Sequence, residues 1–205
     1  MPDWLLEQAA AGPVAGVDEV GRGCIAGAVA AAAVVFHTRD LPETLLQNVR
    51  DSKTVPAAVR AEVAAILPRY ADIGLGVASP AEIDALNILQ ASLLAMRRAV
   101  AALAGAPAFA LVDGTRVPDL SCPANPVIRG DSRSYSIAAA SIVAKVWRDR
   151  QMQTLHGEHP CYGWNRNVGY PTAQHRKALQ QYGVSPYHRQ SFGPVVRWME
   201  AQEPV

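Results

Sequence analysis

The stretch Val14-Ala15-Gly16-Val17-Asp18-Glu19-Val20-Gly21-Arg22-Gly23 decides how the rest of the chain is read. Val14 to Asp18 has the composition of a short strand, and it runs directly into a glycine-rich turn. Two carboxylates, Asp18 and Glu19, therefore stand where a strand ends. The glycines on either side of Arg22 let a backbone come close to a ligand, and their N–H groups suit a phosphate or a hydroxyl. Neither the dinucleotide fingerprint nor the P-loop has this spacing.

The same arrangement recurs twice. The apolar run Phe109 to Val112 stops at Asp113-Gly114, and Val127-Ile128 stops at Gly130-Asp131. In open α/β sheets, ligand sites gather where strands end. Carboxylates delivered there by several strands repel one another unless a cation sits among them. Oxygen donors without His or Cys point to Mg²⁺ or Mn²⁺. Taken singly, an Asp in this position also serves to end a strand and cap a turn. Asp18 and Glu19 are neighbours, so on a regular strand they point to opposite faces. Both serve one site only if the chain bends or one contributes its carbonyl.

Outward from these acids the chain alternates strands and helices. Ala28 to Phe36 is a buried strand in hairpin relation to the first, and Ile73 to Ala78 is another. Pro56 fits the first turn of a helix capped by Thr54 or Val55, with Val59, Val63, Ile66 and Leu67 on one face. Ser79-Pro80-Ala81-Glu82 is a helix start of capping-box type. The stripe Leu86, Leu89, Leu93, Met96, Val100 and Leu103 reads as core. A long helix spans about 134–155, ended by Gly157 and Pro160, and Thr172 caps a helix to about Tyr182. The predicted order β-β-α-β-α-α-β-β-α-α is an α/β pattern with a mixed central sheet flanked by helices. No linker divides it, so 1–205 reads as one domain. Residues 157–171 and 183–194 read as Gly/Pro-rich loops, with a helical extension from about 157.

Composition narrows the function. Half of the 205 residues are apolar, 18% are charged and the net charge is +1, which excludes a disordered chain and a histone-like basic protein. The longest apolar run, Ile25 to Phe36, is too short to span a bilayer. Cys24, Cys122 and Cys161 lie far apart, which fits reduced thiols in the cytoplasm and not a disulfide or zinc framework. From Asp131 to Met199 the chain has 9 Lys and Arg against 3 acids, a count that suits a surface facing a polyanion and equally suits solvated charge on helices.

Six segments in this order closely resemble ribonuclease HII, the type 2 ribonuclease H: Gly16 to Gly23, Asp51-Ser52-Lys53, Val112-Asp113-Gly114, Gly130-Asp131, Ser136 to Ile142 with Ala144-Lys145, and Gly169-Tyr170-Pro171-Thr172 with His175. The His188-Arg189 and Ser191-Phe192 region is similar too. The resemblance implies a ribonuclease H-like fold with a mixed five-stranded sheet and a C-terminal helical extension. It implies a metal-dependent endoribonuclease that cuts the RNA strand of RNA–DNA hybrids. It further implies incision 5′ to single ribonucleotides embedded in duplex DNA, by two-metal-ion catalysis that leaves 5′-phosphate and 3′-hydroxyl ends. Such an enzyme serves ribonucleotide removal from DNA, and it is expected to act as a cytoplasmic monomer.

Carried over by position, Asp18, Glu19, Asp113 and Asp131 are the catalytic metal ligands. Gly21, Arg22 and Gly23 match the motif that senses the 2′-hydroxyl, and Tyr170 matches the tyrosine that stacks on the sugar at the RNA-to-DNA junction. Ser52, Lys53 and Lys145 match phosphate contacts. No protein nucleophile is needed, so Ser136, Ser141 and the cysteines have no catalytic role. Ser141 is expected to be a small packing residue, and the histidines surface or phosphate-side groups. His175 is the exception, where a structural hydrogen bond is expected. Three positions depart from the family pattern. Cys24 stands where Pro is frequent, and Thr54 and Val168 each stand where Lys is common. Arg133 and Arg166 are candidates to restore the lost charge. The related ribonuclease HIII usually carries an extra N-terminal domain, for which the residues before the first strand leave no room. A non-catalytic nucleic-acid-binding module is disfavoured by the presence of all four acids, and a nucleotide-binding protein would show no nuclease activity.

Overall fold

Alanine and glycine set the thickness of this protein. The computed structural model describes residues 1–202. Five strands form one sheet: β1 Val14–Val20, β2 Val29–Phe36, β3 Ala71–Ala78, β4 Phe109–Asp113 and β5 Ala124–Val127. Their order across the sheet is β3-β2-β1-β4-β5. The first three are antiparallel neighbours, whereas β4 runs parallel to β1 and β5 parallel to β4. The helices are α1 Leu5–Gln8, α2 Glu43–Asn48, α3 Ala57–Ile66, α4 Pro80–Leu86, α5 Ile88–Ala101, α6 Tyr135–Glu158, α7 Trp164–Asn167, α8 Ala173–Tyr182 and α9 Gly193–Glu200.

Both faces of the sheet are covered, so the central strands are apolar on both sides. In β2, Ala32 and Val34 pack beneath α6, while Ala31, Ala33 and Val35 meet α5. The long helix lies almost on the backbone of β1: a Cβ at Gly16 would collide with Ser136 and Ile137. On the other face, Cβ atoms at Gly74 and Gly76 would collide with the carbonyls of Ala99 and Ala95. The buried face of α5 is accordingly Ala91, Ala95, Met96, Ala99 and Val100.

That face differs from the expected leucine stripe. Leu89, Leu93 and Leu103 are only half-buried, and Leu86 is exposed. Met96 and Val100 of that stripe are buried as expected, and Leu86 falls before a break at Asn87, where φ is +69° and the side-chain oxygen accepts from Leu89 N and Gln90 N. Asn tolerates positive φ and caps well, so a new helix begins there with a new phase. The capping box at Ser79 and Glu82 forms as expected, and Thr172 Oγ1 accepts from His175 N to cap α8.

Several other expectations are corrected. Pro56 itself is the N-cap of α3, with no side-chain cap, and Ile66 is exposed. β5 comes earlier than expected, and Ile128 lies outside it and is 63% exposed. α6 continues through Gly157 to Glu158. Residues 193–200, read partly as loop, form α9. Its Val195 is buried against Ile25 and Leu179, an apolar contact too distant in sequence for local patterning to reveal.

Candidate active site

The parallel pairing of β1 with β4 builds the site. Val17 stands opposite Val112, so the next residues, Asp18 and Asp113, stand side by side; Asp18 and Glu19 lie within β1, which runs on to Val20 in pairing with β2, and not at its end as expected. Gly130 N donates to Asp113 Oδ1 at 2.7 Å, which fixes that carboxylate against the turn after β5. Asp18, Glu19 and Asp113 each offer an oxygen, and the three lie within 4.8 Å of one another. Glu19 thus joins Asp18 in one cluster despite being its strand neighbour. Asp131 does not join that group. Arg129 takes a left-handed conformation and Gly130–Ser132 form a short 3₁₀ turn, which carries Asp131 past the strand end.

These carboxyls are costly to charge. Burial, with Glu19 and Asp113 close by, pushes the Asp18 carboxyl well above its usual range. Burial also raises Glu19, against the opposing pull of Arg22, whose Nη1 donates to Glu19 Oε1 at 3.3 Å. Asp131 is raised by burial and then by Asp51 and Asp113. A cation among these groups would remove the repulsion. With oxygen donors alone, the set fits a hard divalent ion held by Asp18, Glu19 and Asp113.

The other expected residues surround this cluster. Gly23 and Arg22 are exposed, and a Cβ on Gly23 would stand 3.5 Å from Tyr170 Cε1. The glycine turn and Tyr170, which is 41% exposed, therefore form one surface. Lys53 is exposed and near enough to Asp131 to favour its charge. Ser52 is buried, with its hydroxyl 2.8 Å from that of Ser141. Ser141 also faces Asp18 and favours its ionised form. It is thus more than the small packing residue expected. Thr54 Oγ1 donates to Asp51 O at 2.7 Å, so the residue that replaces a basic one closes the loop. Cys24 is buried and Val168 has φ of +41°.

Charge in the last third is less available than its count implies. Arg148 and Arg189 are buried, and Lys145 Nζ pairs with Asp149 at 2.7 Å. Arg133, Arg150, Arg166, Arg176, Lys177 and Arg197 remain exposed. The histidines also need correction. His175 and His188 are buried, with their Nε2 atoms 3.2 Å apart, and Trp164 Nε1 donates to His175 Nε2 at 3.0 Å. His175 Nδ1 lies 2.9 Å from the carbonyl of Tyr170, the structural hydrogen bond expected of it. Sequence reasoning missed Arg60, which donates to the carbonyls of Ser52 and Val55, and it missed the roles of Arg148 and Arg189. For Arg148 a signal existed. Ser141, Lys145, Arg148 and Met152 recur at helical spacing, which places an arginine on an inward stripe.

The profile of the family described as Ribonuclease HII matches residues 15–195. The chain belongs to the ribonuclease HII family. Ribonuclease HII of Ruegeria pomeroyi is 57% identical over 199 residues, covering 95% of this chain and 83% of that protein. The ribonuclease H2 of Pyrococcus horikoshii OT3 has the same fold, with a TM-score of 0.77 at 24% identity over 92% of this chain and 98% of that one. The Bst ribonuclease HIII solved in complex with Mn²⁺ superposes with a TM-score of 0.72 at 18% identity, over 95% of this chain and 71% of that one. As a ribonuclease HII family member the protein is a metal-dependent endoribonuclease of the ribonuclease H class, with a ribonuclease H-like α/β fold. Among the described residues, no helix is long and apolar enough to cross a membrane.

Proposed function

We propose that this ribonuclease HII incises duplex DNA on the 5′ side of a single embedded ribonucleotide, besides cutting the RNA strand of RNA–DNA hybrids, and so serves ribonucleotide removal. The observation that carries this reading is the shared surface of Gly23 and Tyr170 beside the acidic cluster. Only the 2′-hydroxyl distinguishes a ribonucleotide at the sugar, and it both donates and accepts. The turn Gly21-Arg22-Gly23 meets it with main-chain groups and no side chain in the way. Tyr170 offers a ring to the neighbouring deoxyribose, where a second 2′-hydroxyl would crowd it. The two elements together read an RNA-to-DNA step.

Asp18, Glu19 and Asp113 would hold Mg²⁺ or Mn²⁺, with Asp131, which stands apart from them, as a further ligand at the edge of the cluster. When bound, two such ions supply water activation and charge neutralisation at the leaving 3′-oxygen, which gives 5′-phosphate and 3′-hydroxyl ends. Lys53 and the exposed arginines of the last third hold flanking phosphates, with the buried Ser52 setting the Lys53 loop against Ser141 and Lys145 contributing from its pair with Asp149, so binding is salt-dependent. The chain works as one catalytic domain with a helical substrate-binding extension from about 157, as a monomer in the cytoplasm.

The test is a duplex with one ribonucleotide, incubated with Mg²⁺ and with Mn²⁺, and mapped at single-nucleotide resolution. A single nick 5′ to the ribonucleotide, with a 5′-phosphate, is expected. Cleavage of continuous hybrids alone would refute the junction reading.

A further inference from the structure

Two arginines that the chemistry does not use are among the most deeply buried side chains: Arg148 on α6, 1% exposed, and Arg189 before α9, 0% exposed. Among the described residues, neither lies within ion-pair distance of a carboxylate. Their partners are main-chain carbonyls. Arg148 donates from Nε to Ala28 O at 3.0 Å, from Nη1 to Val168 O at 2.7 Å and from Nη2 to Ala26 O at 3.1 Å. Arg189 donates from Nε to Gly27 O at 2.9 Å and from Nη1 to Arg22 O at 3.0 Å. Its Nη2 is buried with no partner. Burial lowers the Arg189 pKa to about 10, so the group remains a cation at neutral pH. Burying charge without a counter-charge is expensive.

What the two side chains join is specific. Ala26 and Ala28 follow the glycine turn, Val168 precedes Gly169-Tyr170, and Arg22 is the turn itself. The main chain adds Ile25 N to Gly169 O at 2.9 Å and Arg189 N to Ile25 O at 2.8 Å. The glycines fit the guanidinium from outside. A Cβ at Gly21 would collide with Arg148 Nε. One at Gly169 would stand 2.5 Å from Ala26 O and 3.3 Å from Arg148 Nη2. Gly21 is therefore small because of the arginine behind it as well as the ligand in front.

We infer that Arg148 and Arg189 are positioning residues that lock the Gly21-Arg22-Gly23 turn and the Gly169-Tyr170 turn into one rigid reading head. This rests on the assignment of those turns as the ribonucleotide readers. Lysine keeps the charge but has one nitrogen, which cannot serve three divergent carbonyls. A continuous hybrid offers a 2′-hydroxyl at every step, so a slack head still finds a cleavable phosphate. A single ribonucleotide offers one, and both turns must be in register at once.

Two measurements test this. In the wild type, hydrogen exchange is followed at the amides of Cys24, Ile25 and Gly27 and of Val168, Gly169 and Tyr170. Opening with one common free energy is expected, and two groups that differ more than about tenfold in protection would overturn the lock. In Arg148→Lys and Arg189→Lys, kcat/KM is measured on the single-ribonucleotide duplex and on the hybrid. The ratio should fall at least about tenfold. An equal loss on both substrates would make the arginines merely structural and overturn the proposal. Tyr170→Ala is run beside them. If it shifts the ratio and the arginine variants do not, the lock fails and the site assignment stands. If it does not shift the ratio, the assignment fails, and hydrogen exchange still decides the lock. Should Arg148→Lys not fold, Arg189→Lys and the wild-type exchange carry the test.

Discussion

Ser141 and Ser52 meet hydroxyl to hydroxyl at 2.8 Å, and that contact ties the Asp51-Ser52-Lys53 loop to the helix beside Asp18. Ser141 also favours the ionised form of Asp18. Ser141→Ala should therefore raise the Asp18 pKa further. The acid limb of the pH–rate profile should move to higher pH, and kcat/KM at neutral pH should fall by about 10- to 150-fold, the worth of one hydrogen bond to a charged group. An unmoved acid limb would separate Ser141 from Asp18.

Tyr170 is held by Pro171 on one side and by the His175 contact to its carbonyl on the other. Tyr170→Ala should cost most on a single embedded ribonucleotide. Stacking on an aromatic ring is worth about 1–3 kcal/mol, so the loss should be roughly 5- to 150-fold, with a smaller loss on a continuous hybrid. Tyr170→Phe should keep much of the activity. The ratio of kcat/KM on the two substrates is the measurement.

The acidic cluster stores repulsion that a cation relieves. Without divalent ions, Asp18→Asn should raise the melting temperature by about 2–8 °C, corresponding to about 1–2 kcal/mol. With Mn²⁺ at about 100 times its Kd, the wild type should gain about 2.7 kcal/mol and the variant much less. Calorimetry with and without metal reads both, and turnover of the variant should be nearly abolished. A wild type whose stability ignores Mn²⁺ would remove the metal from this cluster.

Burial, then the neighbouring His175, lowers the His188 pKa to about 3, and burial lowers His175 as well. The unfolded chain therefore binds protons that the folded one refuses. Stability is fully present above the unfolded value of about 6.5 and falls as pH drops from there toward 3, by up to roughly 1.4 kcal/mol per pH unit for each such histidine. His188→Gln should flatten that slope in urea titrations between pH 7 and 5. An unchanged slope would place the effect elsewhere.

Lys145 is paired with Asp149 one helical turn away, with the lysine on the N-terminal side, the weaker orientation. Asp149→Asn should release it. Binding to duplex at low salt should tighten roughly two- to fivefold, and the salt dependence should steepen by about one released counterion. Filter binding across a salt series checks this, and Lys145→Ala should give the opposite change.

The strands were legible because burial on both faces leaves continuous apolar runs, and two of those runs, 14–17 and 109–112, meet a carboxylate directly. The caps at Ser79 and Thr172 were legible because capping is local. What depended on the third dimension was not. The leucines of 86–103 looked like core, but the close approach of Gly74 and Gly76 sets Ala95 and Ala99 against the sheet and leaves Leu89, Leu93 and Leu103 half-buried at its side. The basic count of the last third concealed that Arg148 and Arg189 point inward. Sequence also gathered four acids, and the turn at Arg129 to Ser132 leaves Asp131 apart from the other three.

The guanidinium behind Gly21 and Gly169 has an evolutionary corollary. A Cβ at Gly21 would collide with Arg148 Nε and one at Gly169 with the carbonyl of Ala26, and both glycines have positive φ, so neither can acquire a side chain. Gly21 and Gly169 are closed to side chains by backbone conformation as well as by their neighbours, so single-step drift is blocked at both. Laboratory selection for altered sugar preference would therefore stall at these two glycines and have to draw on other positions of the same surface.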